Sequence, residues 1–270
     1  MQVAEHTIQL AGAPVFYRRT EAELAPLLYV HGCPTSSDDW IPLLERTGGV
    51  APDLVGFGRS AKGANLDYTL AGLANFIELF LDELEIPAVT VVAHDWGAGA
   101  GLLLAQRQPQ RVQALVLINA LPLIGGYRWH RLARAWRVPL LGELAMGATT
   151  RIVLRRILRR GYADPSALSR ARLKAIWDQF DQGTQRAVLR LHRSAPEDRL
   201  AEAGAGLDRL SVPTMVMWGE HDPWFPAPLA DRYGERLAGA RVIRVPDAGH
   251  WPWLERPEMS EQIVDFVSER

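Results

Sequence analysis

Cysteine is almost absent from the sequence, in which Cys33 is the single one among 270 residues. A disulfide within the chain and a cysteine-based metal cluster are therefore excluded. The chain also has no uninterrupted apolar run of about 18 residues, and its first residues lack a basic stretch followed by an apolar core. These absences predict a soluble cytoplasmic protein without a membrane partner.

An excess of charge of either sign is lacking as well, because 30 basic residues stand against 31 acidic ones. The resulting net charge of -1 predicts no nucleic-acid partner. Histidines and carboxylates do not fall at metal-ligand spacing, and the GAGAG run lacks the spacing of a dinucleotide-binding loop. We therefore predict no metal and no cofactor, and the oligomeric state stays open.

The arrangement of apolar residues predicts one large α/β unit with an insertion. Stretches such as HTIQL, PVFYRR, APLLYVHG and AVTVVAH are typical of strands, and Thr69 to Glu85 has apolar residues at helical spacing. Strands that alternate with helices indicate a mostly parallel sheet. Residues 123–210 contain helical patterns only. We predict an α/β core at residues 1–122 and 211–270, and a helical cap at residues 123–210.

The stretch AHDWG places Asp95 between a predicted strand and a glycine-rich helix. Ala93 and Gly97 are small, as a sharp turn requires when it raises the central side chain above the sheet. A helix N-cap is the simpler use of an aspartate at this junction. Asp222 follows a later strand and His250 follows the next one, which gives the order nucleophile, acid and histidine.

The turn HGCP supplies a further element of the predicted site. The backbone N–H groups of Cys33 and Trp96 are expected to form an oxyanion hole. We interpret Cys33 as a contributor of its backbone rather than as a reactive thiol, because no base is implied beside it.

Together, HGCP, AHDWGAG, GEHDPW and AGHWPW resemble the α/β-hydrolase superfamily, in the branch of epoxide hydrolases and haloalkane dehalogenases. The resemblance covers essentially the whole chain and implies a mostly parallel eight-stranded sheet flanked by helices. Asp95 is expected to attack an sp³ carbon as a carboxylate and to form an alkyl ester. His250, oriented by Asp222, is expected to activate the water that hydrolyses this ester. Asn119, near the alternative acid position of one dehalogenase subfamily, is an amide and leaves this role to Asp222.

The leaving group separates the two activities. An epoxide oxygen needs a proton donor from the cap, whereas a halide needs N–H donors only. The family resemblance implies two cap tyrosines for epoxides, and Tyr127 with His192 is the predicted donor pair here. Packing for the tyrosine and solvation for the histidine are the simpler interpretations. Cys33 stands where one group of dehalogenases has an asparagine, which favours the epoxide.

The predicted function is therefore an epoxide hydrolase that forms a vicinal diol, with a haloalkane dehalogenase as the alternative. A cofactor-free oxygenase or a non-catalytic ligand binder on the same scaffold is more remote. Nine tryptophans indicate an apolar pocket for a small lipophilic substrate and water. The candidates for its wall are Trp40, Trp129, Trp136, Trp177, Trp224 and Trp251.

An arginine-rich helix is predicted within the cap. Its basic face consists of Arg151, Arg155, Arg156, Arg159 and Arg160. We interpret this face as a solvated surface, and the alternative is a surface that binds an anion or a partner.

Overall fold

The computed structural model describes residues 1–21 and 26–269. Ala25, which begins one predicted strand, and Arg270, which ends the predicted core, lie outside the described residues. The described strands are β1 Ala4–Leu10, β2 Ala13–Thr20, β3 Leu27–Val30, β4 Gly49–Pro52, β5 Val89–His94, β6 Val112–Ile118, β7 Thr214–Gly219 and β8 Arg241–Val245. They form one sheet in the spatial order β1-β2-β4-β3-β5-β6-β7-β8.

The sheet is mostly parallel. Strand β2 runs antiparallel to β1 and to β4, and the other described neighbours run parallel. Every residue of β3, β5 and β7 is buried. Strands with helices on both faces need continuous apolar sequence rather than alternation, and VTVVAH in β5 has this character.

The α-helices are α1 Ile41–Thr47, α2 Leu70–Glu83, α3 Asp95–Arg107, α4 Arg131–Arg137, α5 Leu141–Gly147, α6 Arg151–Arg160, α7 Arg170–Gln179, α8 Gln182–Ser194, α9 Glu197–Ala203, α10 Pro228–Arg236, α11 Pro252–Glu255 and α12 Glu258–Ser268. Helix α2 begins after Thr69, whose side chain accepts a hydrogen bond from the N–H of Gly72. Such a cap satisfies a backbone donor that the helix leaves free.

Helices α4 to α9 lie between β6 and β7 in the chain. Polar N-cap side chains explain where several of them begin, since Thr150, Ser169 and Asp181 each accept from a backbone N–H of α6, α7 and α8. The sheet and its helices confirm the predicted fold class. The limits of the cap at residues 123 and 210 stay a prediction.

The topology determines where the site lies. Strands β5, β6, β7 and β8 are parallel neighbours, so the residues that follow them meet at one edge of the sheet. Buried apolar side chains from the sheet and from helices α4 to α9 form one continuous cluster. Within the described residues, no helix is both long and apolar enough to cross a membrane.

Candidate active site

Asp95 lies at the sharp turn between β5 and α3 and has a backbone φ of 52°. A left-handed backbone is unfavourable for a residue with a Cβ atom, which indicates a constrained position. A Cβ atom at Gly97 would lie 2.5 Å from the carbonyl oxygens of Val30 and His31. A Cβ atom at Gly32 would lie 2.5 Å from the Cβ atom of Asp95. The turn therefore tolerates only glycine at both neighbouring positions.

The carboxyl group of Asp95 is buried and hydrogen-bonded to the backbone. The N–H of Cys33 donates to its Oδ2 at 2.8 Å. Burial raises the pKa of Asp95 to about 6, although the charge of His250 and the backbone N–H groups of Cys33 and Trp96 act in the opposite direction. Both N–H groups predicted for the oxyanion hole thus interact with this carboxyl group.

His250 and Asp222 form a buried pair. The Nδ1 atom of His250 donates to Oδ2 of Asp222 at 2.7 Å. Burial disfavours the imidazolium, but the charge and hydrogen bond of Asp222 outweigh it and raise the pKa of His250 above its usual value. The rings of Trp224 and Trp251 contact the imidazole edge-on, with centroids 4.6 and 4.9 Å away. Because Nδ1 is engaged, Nε2 is the atom left for chemistry.

Asn119 supports Asp222, a role that was not predicted from the sequence. Its Nδ2 donates to Oδ2 of Asp222 at 2.7 Å, and its Oδ1 accepts from the N–H of Gly219 at 3.0 Å. The N–H groups of Trp224 and Phe225 donate to Oδ1 of Asp222 at 2.8 and 3.1 Å. The sequence signal is the position of Asn119 directly after β6, whereas the neighbouring position of β7 is known only from the sheet.

Two other histidines hold backbone around the site. His31 accepts from the N–H of Leu54 at 2.8 Å and donates to the carbonyl of Gly32 at 2.8 Å. His94 donates from Nε2 to the carbonyl of His250 at 2.9 Å, and burial keeps its pKa well below the usual value. Both rings therefore support the two turns that carry the site.

A cavity of about 60 Å³ lies between this edge of the sheet and the helices that follow β6. Asp95, His250 and Cys33 contribute to its wall. Its aromatic wall residues are Trp96, Trp129, Trp136, Phe180, Trp224 and Phe225. The lining is mainly apolar, as expected for a lipophilic ligand.

Three of the six tryptophans predicted for the pocket lie elsewhere. Trp40 is fully buried and stacks on Trp253, with centroids 4.7 Å apart. Trp251 packs behind His250, beneath the guanidinium of Arg172. Trp177 stands outside the wall and packs on Phe180, which does line the cavity. The error has a physical reason, because a hydropathy pattern does not distinguish core packing from a pocket wall.

The structure does not assemble the predicted proton-donor pair. Tyr127 is absent from the described cavity wall, and its hydroxyl donates to the carbonyl of Trp224 at 3.3 Å. His192 does line the cavity, but its Nδ1 donates to the carbonyl of Val188 at 2.8 Å. Burial lowers the pKa of His192 to about 3, so the ring is neutral and its Nε2 is an acceptor. Neither side chain is an acid facing a leaving group.

Other residues with side-chain N–H groups line the cavity. Trp96 lines the cavity, and no hydrogen bond of its indole N–H is found among the described residues, whereas the indole N–H of Trp129 donates to the carbonyl of Ala195 at 2.8 Å. His130 caps α4 by accepting from the N–H of Ala133 at Nδ1. Burial lowers the pKa of His130 to about 4, so the neutral ring carries its proton on Nε2. His130 lines the cavity and was not predicted from the sequence.

Comparison with solved structures agrees with the architecture. The structure titled epoxide hydrolase CorEH has a TM-score of 0.85 at 20% identity, and the match covers 99% of each chain. Haloalkane dehalogenase DbeA from Bradyrhizobium elkani USDA94 also has a TM-score of 0.85, at 24% identity, over 99% of this chain and 98% of that one. At these identities the likeness establishes the fold.

Sequence comparison identifies the family. A haloalkane dehalogenase of Mycolicibacterium paratuberculosis is 30% identical over 89% of this chain and 83% of its own length. A haloalkane dehalogenase of Mycobacterium marinum is 31% identical over 91% of this chain and 85% of its own length. The family model for the alpha/beta hydrolase fold matches residues 25–257. The chain therefore belongs to the α/β-hydrolase family, in the branch of haloalkane dehalogenases and epoxide hydrolases.

Proposed function

We propose that the protein hydrolyses the carbon–halogen bond of a small lipophilic haloalkane through an ester on Asp95. The observation that carries the proposal is the position of Trp96, an indole N–H donor, in the wall of a cavity whose described lining has no tyrosine and in which His130 and His192 are neutral. A leaving halide needs N–H donors and no proton, whereas an alkoxide needs an acid. The 30% identical haloalkane dehalogenase supports the same choice.

In the first step, Oδ1 or Oδ2 of Asp95 attacks the carbon that bears the halogen. The new C–O bond forms as the C–X bond breaks, and the halide leaves with the electron pair. Trp96 donates to the departing halide, and the second donor is the N–H group of Trp136 or His130, which both line the cavity. With a pKa of about 6, Asp95 is mainly an anion at pH 7 and above.

In the second step, His250 takes a proton from water through Nε2, and the water oxygen attacks the ester carbonyl carbon of Asp95. The backbone N–H groups of Cys33 and Trp96 stabilise the oxyanion. Asp222 stabilises the imidazolium through the 2.7 Å hydrogen bond to Nδ1. Collapse of the intermediate releases the alcohol and leaves Asp95 with an oxygen atom from water.

The test is a parallel assay of chloro-, bromo- and iodoalkanes and of epoxides, with released halide and diol measured separately. We expect halide release, lowered roughly 10- to 1,000-fold by Trp96→Phe because a transition-state donor is lost. Trp177→Phe is the matched control, since Trp177 lies outside the cavity wall. Turnover in H₂¹⁸O should label Asp95. Diol formation without halide release would refute the dehalogenase proposal.

Epoxide hydrolysis is the second candidate, and His130 is the observation that favours it. A neutral imidazole N–H can polarise a substrate oxygen. His130 lines the cavity, and because its Nδ1 accepts from the N–H of Ala133, the neutral ring carries its proton on Nε2. For this function we expect diol formation that His130→Phe removes. Halide release from haloalkanes would remain near zero in the same assay.

A further inference from the structure

Charge is strongly separated along this chain although its net charge is only -1. Residues 123–210 contain 17 Arg and Lys residues against 8 Asp and Glu residues, a net charge of +9. The rest of the chain contains 13 basic and 23 acidic residues, a net charge of -10. The helices inserted between β6 and β7 therefore present a cationic surface that the total charge conceals.

Helix α6 concentrates this charge on one face. Its exposed arginines have no acidic partner within the described residues, and they are Arg151, Arg155, Arg156 and Arg160. The opposite face carries Leu154 and Leu158, which are buried and line the cavity. A surface groove beside α6 brings Arg151, Arg155 and Arg170 together with Ile152.

Exposed apolar side chains cluster in the same part of the molecule. Of the eight large hydrophobic residues exposed in the described chain, six lie between residues 138 and 153. Leu140, Leu144 and Ile152 are 78%, 72% and 65% exposed. Single exposed apolar residues are ordinary on proteins, but such a cluster indicates a contact surface.

Leu140 adds a conformational observation. Its φ of 68° is in the left-handed region, which is unfavourable for a leucine. The side chain projects into solvent, so packing within the protein does not compensate for this conformation. Met146, on the opposite side of α5, is buried and lines the cavity. Helices α5 and α6 thus each have one face on the cavity and one apolar or basic face turned away from it.

We propose that this outer cap surface docks on an anionic lipid bilayer, which departs from the prediction from the sequence that the protein has no membrane partner. The outer cap surface comprises Val138, Leu140, Leu141, Leu144, Ile152, Val153 and the exposed arginines of α6. Its leucines enter the headgroup region while its arginines meet lipid phosphates, a combination typical of proteins that lie on membranes. Nucleic acid matches the charge but offers no environment for the apolar residues. The docking does not depend on which leaving group the site handles.

The experiment is co-sedimentation of the whole protein with vesicles of phosphatidylcholine alone, or with about 30% phosphatidylglycerol. We expect binding to the anionic vesicles only, and its loss in about 1 M salt, where charges are screened beyond about 3 Å. Arg155→Glu/Arg156→Glu should weaken binding more than about 20-fold, because each arginine near such a surface contributes roughly fivefold. Arg19→Glu, a reversal of an exposed arginine in β2, should leave binding unchanged.

A second pair of variants tests the apolar part. Leu140→Ser/Leu144→Ser should reduce binding to anionic vesicles, whereas Leu79→Ser, at a 49% exposed leucine of α2, should not. Unchanged thermal unfolding of each variant would show that it is folded. Equal binding to both vesicle types, no binding, or equal loss in the variants and their controls would overturn the proposal. So would salt-sensitive self-association or DNA binding in protein that ignores vesicles.

Discussion

Asp95 satisfies two opposing requirements within one side chain. In the proposed mechanism, attack on carbon needs a poorly solvated anion, yet burial raises the pKa of Asp95 to about 6 and so favours the neutral acid. The N–H of Cys33, 2.8 Å from Oδ2, offsets part of this penalty. The residue therefore remains an anion at neutral pH while retaining much of the reactivity that water would suppress.

This conflict predicts that Asp95→Asn stabilises the fold. A carboxyl group whose pKa is raised in the native state favours folding below its unfolded pKa, and that stability is lost as pH rises through about 6. At pH 8 we expect Asn to increase the free energy of unfolding by about 1–3 kcal/mol, and at pH 5 by roughly half as much. Urea denaturation at both pH values measures this. The exposed Asp247→Asn should show no pH-dependent gain, and a loss of stability in Asp95→Asn would contradict the prediction.

In the proposed mechanism, His250 determines the pH dependence of the second step. Only neutral imidazole accepts a proton from water, so ester hydrolysis should fall as the pH drops through the pKa of His250. Burial lowers this pKa but Asp222 raises it further, so the midpoint should lie above about 6.5. In Asp222→Asn we expect a slower rate and a midpoint at lower pH. Single-turnover measurement of the ester intermediate tests this, and an unmoved midpoint would exclude Asp222 as the cause.

At the scale of elements, local chemistry made the turn at Asp95 predictable. Small residues flank Asp95, and Asp222 and His250 each follow a later strand, so each feature is visible in a short stretch of sequence. The place where the three side chains meet follows from the order of the parallel strands. Asn119 was not predictable in the same way. Its role depends on β6 lying beside β7, although some 95 residues separate them in the chain.

The cap shows the other limit of sequence reasoning. A helical pattern gives the apolar face but not which neighbour that face meets. The sequence therefore allowed His192 to face a leaving group. In the structure, its Nδ1 instead donates a hydrogen bond to the carbonyl of Val188, one helical turn earlier. His130 was not predictable for a related reason. It lies in an irregular segment, and its side chain is positioned because it is the N-cap of α4.

Helix α6 ends at Arg160, and Gly161, its C-cap, contacts the loop that carries His250. The N–H of His250 donates to the carbonyl of Gly161 at 2.6 Å. A Cβ atom at Gly161 would lie 2.6 Å from the ring of Trp251 and 2.7 Å from that of Trp224. Since both rings also contact the imidazole of His250, any shift that relieves this overlap disturbs the site.

Gly161→Ala should therefore lower activity and stability together. We expect a destabilisation of about 1–3 kcal/mol from overpacking, and a decrease in kcat larger than the change in KM. Gly147→Ala is the matched control, because a Cβ atom there meets nothing within 4 Å. Urea denaturation and steady-state kinetics of both variants measure the effect. Equal behaviour of the two alanines would show that the cap does not position His250.

On the scale of the whole molecule, polar contacts as well as the common apolar cluster join helices α4 to α9, the predicted cap, to the predicted core. Arg172 of α7 forms a buried ion pair with Asp39 of the core. It also donates to the hydroxyl of Tyr162 at 2.7 Å. Lys62 pairs with Asp181, the cap residue of α8, at 2.9 Å. Because the cavity lies between the sheet and helices α4 to α9, the site exists only while both are folded, and we expect them to unfold as one unit.

Differential scanning calorimetry should accordingly show one transition for all 270 residues. Near 60 °C its enthalpy should be roughly 190 kcal/mol, and the calorimetric and van't Hoff values should agree. Arg172→Met leaves Asp39 as an unpaired buried carboxylate, which costs about 3–5 kcal/mol. This variant should melt at a lower temperature and still give one peak. Two separate peaks in the unmodified protein would mean that residues 123–210 unfold independently, and the close coupling of the cap to His250 would then be wrong.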